Sequence, residues 1–277
     1  MQTEKGRRMQ HYIASEVLPW PFGPEYAESE PMDLIAEEPL SIRVQGRPYV
    51  VVMRTPGDEL AHAAGLCLAE GLVRDPADIA QLAFCDGDDT NTVTVTLQAE
   101  CARRLDQKGD RRAYISQTGC GLCGKELIQD LHTEIQPLSD GATVALPVAL
   151  SALSDLHHHQ PLREQTRAAH AAAIHDREGR LLSVAEDVGR HNALDKSIGR
   201  LFLDKTLPEA AMVVLSSRIS YELVQKAACA RIPVMVAVSR PTALAVALAE
   251  SLNIALASRR HGEGLWVYTG TKRFQML

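Results

Sequence analysis

Apolar residues recur with two different spacings in the first third of the chain. Two pairs of segments have the short alternating or apolar pattern of strands, with a polar turn inside each pair, and they predict two antiparallel hairpins. The paired segments are residues 40–44 with 49–53, and 79–84 with 92–97. Between the hairpins, residues 55–72 have helical spacing, with Thr55 as candidate N-cap and Pro56 at the first helical position. His62 and Glu70 are expected at the surface or boundary of this helix, and the region is predicted to be α+β.

Apolar strands alternate with helices in the second half of the chain. The predicted strands are residues 169–175, 179–184, 212–215, 234–238 and 265–268, and the predicted helices are residues 147–156, 221–230 and 242–257. A further helix follows residues 186–196, which are dense in titratable groups. Residues 169–175 and 179–184 are two strands around the turn at residues 176–179. From residue 212 onwards, the alternation of strands and helices favours an α/β layer of parallel strands with right-handed crossovers.

Ligands bind such sheets beyond the carboxyl ends of the strands. Two of these ends carry small hydroxyls beside an arginine, at residues 216–218 and 239–241. Such groups at helix N-termini suit phosphate, and the serines could equally be helix N-caps. Arg190 and His191 come just before a helix, so a phosphate contact and a capping role both stay open.

The domain organisation follows from these patterns. Residues 1–32 contain several prolines and glycines without periodicity and are predicted to form a flexible N-terminal arm. A small α+β domain is expected over residues 33–117. Residues 118–135 would form a cysteine-containing loop and a helix, and residues 136–277 an α/β domain.

Composition narrows the class of protein. The chain has 277 residues, 45% of them hydrophobic, and a formal net charge of −6, which argues against a general nucleic-acid binder. The chain has six cysteines, four of them scattered through apolar or strand-like segments, which does not suggest a disulfide framework in a chain of this length, so we expect a reducing compartment. We find neither a secretory signal pattern nor an uninterrupted apolar stretch that would span a membrane, and we predict a cytoplasmic protein.

The candidate chemistry lies in residues 118–124, with the sequence TGCGLCG. Cys120 and Cys123 are two residues apart and surrounded by glycines, and an amphipathic run follows at once. A helix that begins near Gly124 would favour a thiolate in this loop. A structural zinc site would need a second ligand pair, which the sequence lacks apart from the weak candidate 157–159, three histidines at a helix end. A redox pair, a sulfur-transfer site and an inert turn stay open on these residues alone.

Four motifs in this order resemble the formate dehydrogenase accessory sulfurtransferase family. They are residues 37–40, 118–124, 186–196 and 216–226. The resemblance implies a cytidine-deaminase-like α/β domain that binds cofactor, a smaller N-terminal domain, and a homodimer. It also implies that the chain takes sulfur from a cysteine desulfurase and passes it to the bis-molybdopterin guanine dinucleotide cofactor, so that formate dehydrogenase receives an active metal centre.

The resemblance implies site residues too. Cys120 corresponds to the cysteine that carries the persulfide, and Cys123 to its supporting neighbour. The loop expected to contact the guanine nucleotide part of the cofactor consists of Arg259, Arg260, His261, Gly262, Glu263 and Gly264. Arginines and glycines suit a diphosphate that the backbone approaches closely. The chain departs from the family pattern at Glu263, which adds a negative charge, and at residues 167–169, where a Thr-Gly-Gly-like turn is expected.

Two other functions have different sequence requirements. A zinc-dependent deaminase needs a His-x-Glu motif followed by Pro-Cys-x-x-Cys. Here the order is reversed, and Ala172 stands where the glutamate would be, so this hypothesis is disfavoured. The second alternative is a non-catalytic chaperone that only escorts the molybdenum cofactor. It differs from a sulfur carrier in that sulfur would never reside on Cys120.

Overall fold

The structure, a computed structural model, describes residues 11–17, 30–86, 89–108, 135–261 and 264–275. The strands in these ranges are β1 Tyr12–Val17, β2 Glu30–Ile35, β3 Glu38–Val44, β4 Arg47–Arg54, β5 Ile79–Asp86, β6 Asp89–Leu97, β7 Val144–Ala145, β8 His170–His175, β9 Leu181–Asp187, β10 Met212–Leu215, β11 Val234–Ala237, β12 Ala255–Arg259, β13 Leu265–Thr269 and β14 Phe274–Gln275. The α-helices are α1 Glu59–Ala69, α2 Ala99–Lys108, α3 Leu146–Asp155, α4 Pro161–Thr166, α5 Arg190–Leu203, α6 Tyr221–Cys229 and α7 Ala243–Ser251.

The two predicted hairpins form one four-stranded sheet in the order β4-β3-β6-β5. Strands β3 and β4 pair antiparallel, as do β5 and β6, which confirms both hairpins. The central pair β3 and β6 is parallel. Alternate residues of β3 (Leu40, Ile42 and Val44) are buried against α1, which gives this α+β unit its core.

A six-stranded sheet in the order β13-β12-β11-β10-β8-β9 forms the larger unit. The pairs β10–β11 and β11–β12 are parallel, whereas the pairs β8–β9, β8–β10 and β12–β13 are antiparallel. The sheet is therefore mixed. The parallel layer predicted from residue 212 onwards is confirmed for β10 and β11 and wrong for β13, which pairs antiparallel with β12. The reason is that apolar content indicates burial on both faces and does not report strand direction. The mixed α/β class itself is confirmed.

Helix α1 joins the two units. It packs against α5, and a Cβ built on Gly199 would lie 1.8 Å from the carbonyl oxygen of Ala61, while one on Gly65 would lie 2.0 Å from that of Asp195. The two helix backbones are thus in direct contact, and only glycine fits at either position. One apolar core continues from the small sheet through α1 and α5 to the large sheet. Helix α3 packs on the opposite face of the large sheet.

Three boundaries differ from the sequence-based prediction. Helix α1 begins at Glu59 with Asp58 as its N-cap, so Thr55 and Pro56 do not start it. The helix predicted to end at residue 257 ends at Ser251, and β12 follows, because a short apolar run fits a buried strand as well as a helix. Strand β1 lies inside the predicted arm and pairs antiparallel with β2. The helix predicted after residue 124 lies outside the described residues.

Candidate functional site

One edge of the six-stranded sheet collects arginines. The strand register brings the carboxyl ends of β9, β10, β11 and β12 to the same edge, together with the start of β8. Arg190, Arg218 and Arg240 are each the third residue after a strand end, and Arg259 and Arg260 end and follow β12. This arginine edge is a suitable surface for an anionic ligand.

The loop between β9 and α5 is held by one buried carboxylate. Asp187 is fully buried, and its Oδ1 accepts hydrogen bonds from the Gly189 amide at 2.8 Å and the Asn192 side chain at 2.9 Å. Its Oδ2 accepts the Thr55 amide at 3.1 Å and lies 2.6 Å from Nζ of Lys196, which is also buried. Lys196 donates its other hydrogen bond to the Thr55 carbonyl at 2.7 Å. The small unit is therefore anchored directly beneath the arginine edge.

A second ion pair lies between α5 and α6. Nζ of Lys226 is 2.7 and 2.8 Å from the two carboxylate oxygens of Asp195. Burial raises the pKa of Asp195, and the ammonium of Lys226 opposes that shift. Nearer to solvent, Nε2 of His191 lies 2.9 Å from a carboxylate oxygen of Glu222 and 3.2 Å from the Ser220 hydroxyl. These contacts fix the first turn of α5 against the start of α6.

The serines at the strand ends do not cap helices. Ser216 accepts a hydrogen bond from the Ala171 amide at 2.8 Å and so joins β8 to the end of β10. The N-cap of α6 is Ser220, and that of α7 is Thr242, whose hydroxyl accepts from the Ala245 amide. Of the two roles left open for the serines at residues 216–217 and 239, helix capping is therefore wrong.

The two arginines at the end of β12 make different contacts. Nη2 of Arg259 donates to the Leu153 carbonyl at 2.9 Å, which ties this side chain towards α3. The guanidinium of Arg260 lies over the ring of Trp266, 5.2 Å from its centroid, and its amide donates to the Gly264 carbonyl at 3.1 Å. Gly264 has φ +115°, a conformation that other residues rarely adopt. The turn depends on this glycine and leaves Arg260 exposed at the arginine edge.

A family model described as the FdhD/NarQ family matches residues 35–275. The chain belongs to this family. The match spans both sheets and includes all four motifs that carry the resemblance, from residue 37 to residue 226.

Relatives of the FdhD/NarQ chain share its sequence over most of its length. It is 40% identical to "Sulfur carrier protein FdhD" of Streptomyces coelicolor, covering 88% of this chain and 90% of the relative. The protein of the same name from Bordetella petrii is 38% identical, and the match covers 88% of this chain and 87% of the relative. The protein of that name from Mycobacterium tuberculosis is 36% identical, and the match covers 96% of this chain and 97% of the relative. The solved structure of a formate dehydrogenase accessory protein from Desulfotalea psychrophila has a TM-score of 0.75 at 22% identity, covering 96% of this chain and all of that one, and it supports the fold.

The site residues implied by the family resemblance are only partly described. Cys120, Cys123, Gly262 and Glu263 lie outside the described residues. Arg259, Arg260 and His261 are exposed, and Gly264 is partly buried, so the described part of the predicted loop is accessible to a ligand. The roles of all these residues stay predictions.

Other thiols differ in accessibility. Cys67 and Cys101 are buried, Cys229 is partly buried and Cys85 is exposed. Burial, with smaller contributions from Glu70 and Asp195, raises the pKa of the Cys67 thiol to about 12. Cys85 is therefore the useful comparison for any experiment on exposed thiols of this family member.

The histidine triplet does not form a metal cluster with other described residues. It lies in a short 3₁₀-helix, Leu156–His159, and Nδ1 of His157 contacts the Ser154 carbonyl at 2.7 Å. Within the ranges that the structure describes, no group of three or more His, Cys, Asp or Glu side chains could hold a metal ion. In the same ranges no helix has the length and apolar character needed to cross a bilayer.

Sequence reasoning assigned two residues near the site to the wrong environment. Thr55 was predicted to be a helix cap, but its amide and hydroxyl bind Asp187 and the Val188 amide, at 3.1 Å each. His62 was expected at the surface and is fully buried. Burial, followed by the charges of nearby lysines, holds the pKa of His62 well below its ordinary value. The sequence did carry one sign of buried polar contacts, because Lys196 and Lys226 lie on helix faces that are otherwise apolar.

Proposed function

We propose that this chain is a sulfur carrier that receives sulfur as a persulfide on Cys120 from a cysteine desulfurase. It then passes this sulfur to bis-molybdopterin guanine dinucleotide for use by formate dehydrogenase. The observation that carries the proposal is membership of the FdhD/NarQ family over residues 35–275, in which relatives are named sulfur carrier proteins. The sequence TGCGLCG supplies the thiols that such a carrier requires.

The loading step is a thiol–disulfide type of exchange. The Cys120 thiolate attacks the outer sulfur of the donor persulfide, the donor's sulfur–sulfur bond breaks, and the donor cysteine leaves as a thiolate. Cys120 then holds the additional sulfur, and no external oxidant or reductant is needed for this step. Cys123 is proposed to assist or protect the persulfide.

The molybdenum cofactor is the cargo, and its nucleotide arms carry diphosphates. The arginine edge supports this part of the proposal because guanidinium groups bind phosphate oxygens in pairs. Arg260 is exposed there, and Gly264 allows the turn backbone to approach a ligand closely. Because the chain has a negative net charge, a local concentration of arginines favours a specific anion-binding site more strongly than it would in a basic protein.

The first experiment is intact-mass spectrometry after incubation with an active cysteine desulfurase and cysteine. We expect a gain of one sulfur atom in the wild-type chain and in Cys85→Ser, the exposed matched control. The gain should be absent in Cys120→Ser. Persistence of the added sulfur in Cys120→Ser, or no gain in any variant beside an active donor, would overturn the assignment.

The non-catalytic escort makes the opposite prediction in that experiment, because it would bind cargo without acquiring sulfur. Cargo binding is measured separately by calorimetry with GDP on the wild-type chain and on Arg260→Gln. A loss of affinity in the variant supports a nucleotide contact at this loop, and equal affinity argues against it. The proposal also includes a homodimer, a cytidine-deaminase-like larger unit and a cytoplasmic location. Light scattering tests homodimer formation.

A further inference from the structure

A second group of basic side chains lies at the far end of the arginine edge from the loop after β12. His170 starts β8 and pairs with Asp187 at the end of β9, and Arg190 and His191 are the first two residues of α5. We call His170, Arg190 and His191 the edge cluster. All three are partly buried. Four strand spacings separate β9 from β12, which is about 19 Å at about 4.8 Å per spacing.

The nearby carboxylates are already engaged elsewhere. Asp187 is paired with the Lys196 ammonium beneath the loop, and Glu222 with the His191 ring. Glu186 accepts the backbone amides of Leu162 and Arg163, at 2.7 and 2.8 Å, at the start of α4. Each of these acidic groups therefore has a partner other than Arg190.

Two polar atoms of the edge cluster are buried without a hydrogen bond. They are Nε of Arg190 and Nδ1 of His170, and neither has a partner among the residues that the structure describes. Burial, followed by the positive charges of Arg190 and Arg163, lowers the pKa of His170. An unpaired buried donor costs free energy, so both atoms favour an additional ligand.

A capping role does not explain the position of Arg190. The N-cap of α5 is Gly189, and no side chain makes a capping hydrogen bond there. A guanidinium at the first helical position is also unfavourable, because the helix dipole places positive charge at the same end. One bound anion would relieve both the unpaired donor and this repulsion.

A cavity at the opposite edge of the sheet contains arginines that support the fold, and their hydrogen bonds can be compared with those of Arg190. Arg231 and Arg273 line a cavity of about 170 Å³. Both side chains donate to backbone carbonyl oxygens, with Arg273 doing so through all three of its nitrogens. Arg190 has no such contacts within the described ranges, and this contrast separates it from arginines that only support the fold.

We propose that the edge cluster binds a diphosphate group. Arg190 would bind the phosphate oxygens through its guanidinium, His170 would donate from Nδ1, and the backbone amides of the first turn of α5 would add further donors. The assignment of a guanine nucleotide as the source of the diphosphate rests on the proposed function. The cluster is distinct from residues 259–264, so it adds a second contact surface for a long phosphate-bearing cargo.

The test uses inorganic pyrophosphate as the probe and the full-length chain. Nuclear magnetic resonance of the histidine ring nitrogens follows the pKa of His170, which pyrophosphate should raise because an anion favours the protonated ring. Calorimetry should show affinity for pyrophosphate that falls about tenfold or more in Arg190→Gln, because a charged hydrogen-bond partner is lost. The matched control is Arg177→Gln, which removes an exposed arginine from the turn at the other end of the β8–β9 hairpin.

Three results would overturn the proposal. These are no change in the pKa of His170 at saturating pyrophosphate, equal affinity of Arg190→Gln and wild type, and an equal loss in Arg177→Gln. A thermal unfolding curve establishes that Arg190→Gln is folded, and His170→Gln gives an independent second variant. GDP affinity that does not change in Arg190→Gln overturns the nucleotide as source. Persulfide loading of Cys120 needs no diphosphate, so its mass assay in Arg190→Gln separates failure of this site from failure of the proposed function.

Discussion

The substitution Asp187→Asn tests whether the buried ion pair holds the two units together. In the amide, an NH₂ group replaces one carboxylate oxygen. If it replaces Oδ2, it faces two donors, the Thr55 amide and the Lys196 ammonium. If it replaces Oδ1, it faces the amide of Gly189 and the side-chain NH₂ of Asn192. In either orientation hydrogen bonds are lost, and Lys196 keeps its charge in a buried position without a counter-ion.

The expected cost follows from that geometry. Both side chains are at most 2% exposed, so solvent cannot replace the missing partner. Breaking a buried pair by removing one charge costs about 3–5 kcal/mol. Because Lys196 keeps its hydrogen bond to the Thr55 carbonyl, we expect the loss of unfolding free energy to lie near the lower end of that range. A loss of this size is a large fraction of the stability of an ordinary domain.

The assay is urea-induced unfolding at near-neutral pH, followed by circular dichroism. The control is Asp140→Asn, because Asp140 pairs with Lys272 at 2.7 Å but both side chains are more than half exposed. Loss of this surface ion pair should not change the unfolding free energy measurably. The double variant Asp187→Leu with Lys196→Met should recover part of the stability, since it leaves no unpaired charge. The reasoning fails if Asp187→Asn costs no more than Asp140→Asn.

Three further predictions concern packing, pH and backbone strain. Gly199→Ala should lower the unfolding free energy by about 3 kcal/mol or more, because its Cβ would overlap the Ala61 carbonyl, and a wild-type melting temperature would contradict this. His62 and His175 have lowered pKa values in the folded state, to about 4 for His175, chiefly through burial. The unfolded state therefore binds more protons, and each histidine should cost about 1 kcal/mol as the pH falls from about 7 to about 5.5. Urea titrations should show a smaller fall in His62→Leu and His175→Leu, and an unchanged slope would refute the assignment. Arg167→Gly should stabilise the fold by about 0.5–1 kcal/mol in the same assay, since this exposed residue has φ +59°, and any loss of stability would contradict it.

Local patterns predicted most of the elements, but not how they assemble. Both hairpins of the small sheet, the strands of the large sheet apart from β12, and the start of α7 follow from residue spacing. The direction of β13 was wrong because an apolar run indicates a strand but does not report its direction. The end of α7 was wrong because Asn253 turns the chain with φ +57°, and residue spacing gives no sign of that turn.

The candidate site was predictable only where chemistry is local in sequence. The cysteine pair was predicted from its local spacing and glycines, and the loop of residues 259–264 from the family resemblance. Both stay predictions, and the thiols lie outside the described residues. The contacts of Thr55 with Asp187, and of Lys226 with Asp195, join residues 132 and 31 positions apart. No spacing rule relates such residues, since their partners are set by the packing of α1 and α6 against α5. The glycines at 65 and 199 that permit this packing have no distinctive sequence context.

The distribution of charge in this acidic chain is compatible with the proposed binding of an anionic cargo. The formal net charge is −6, so an extended polyanion would meet overall repulsion across a large surface. A diphosphate is small, and at physiological salt it responds mainly to charges within about 8 Å. At that range the arginines that follow successive strands dominate, because Asp187 and Asp195 are neutralised beneath them by Lys196 and Lys226. The buried lysines therefore support the proposed anion site as well as the fold, because without them the two carboxylates would weaken the positive potential of the arginine edge.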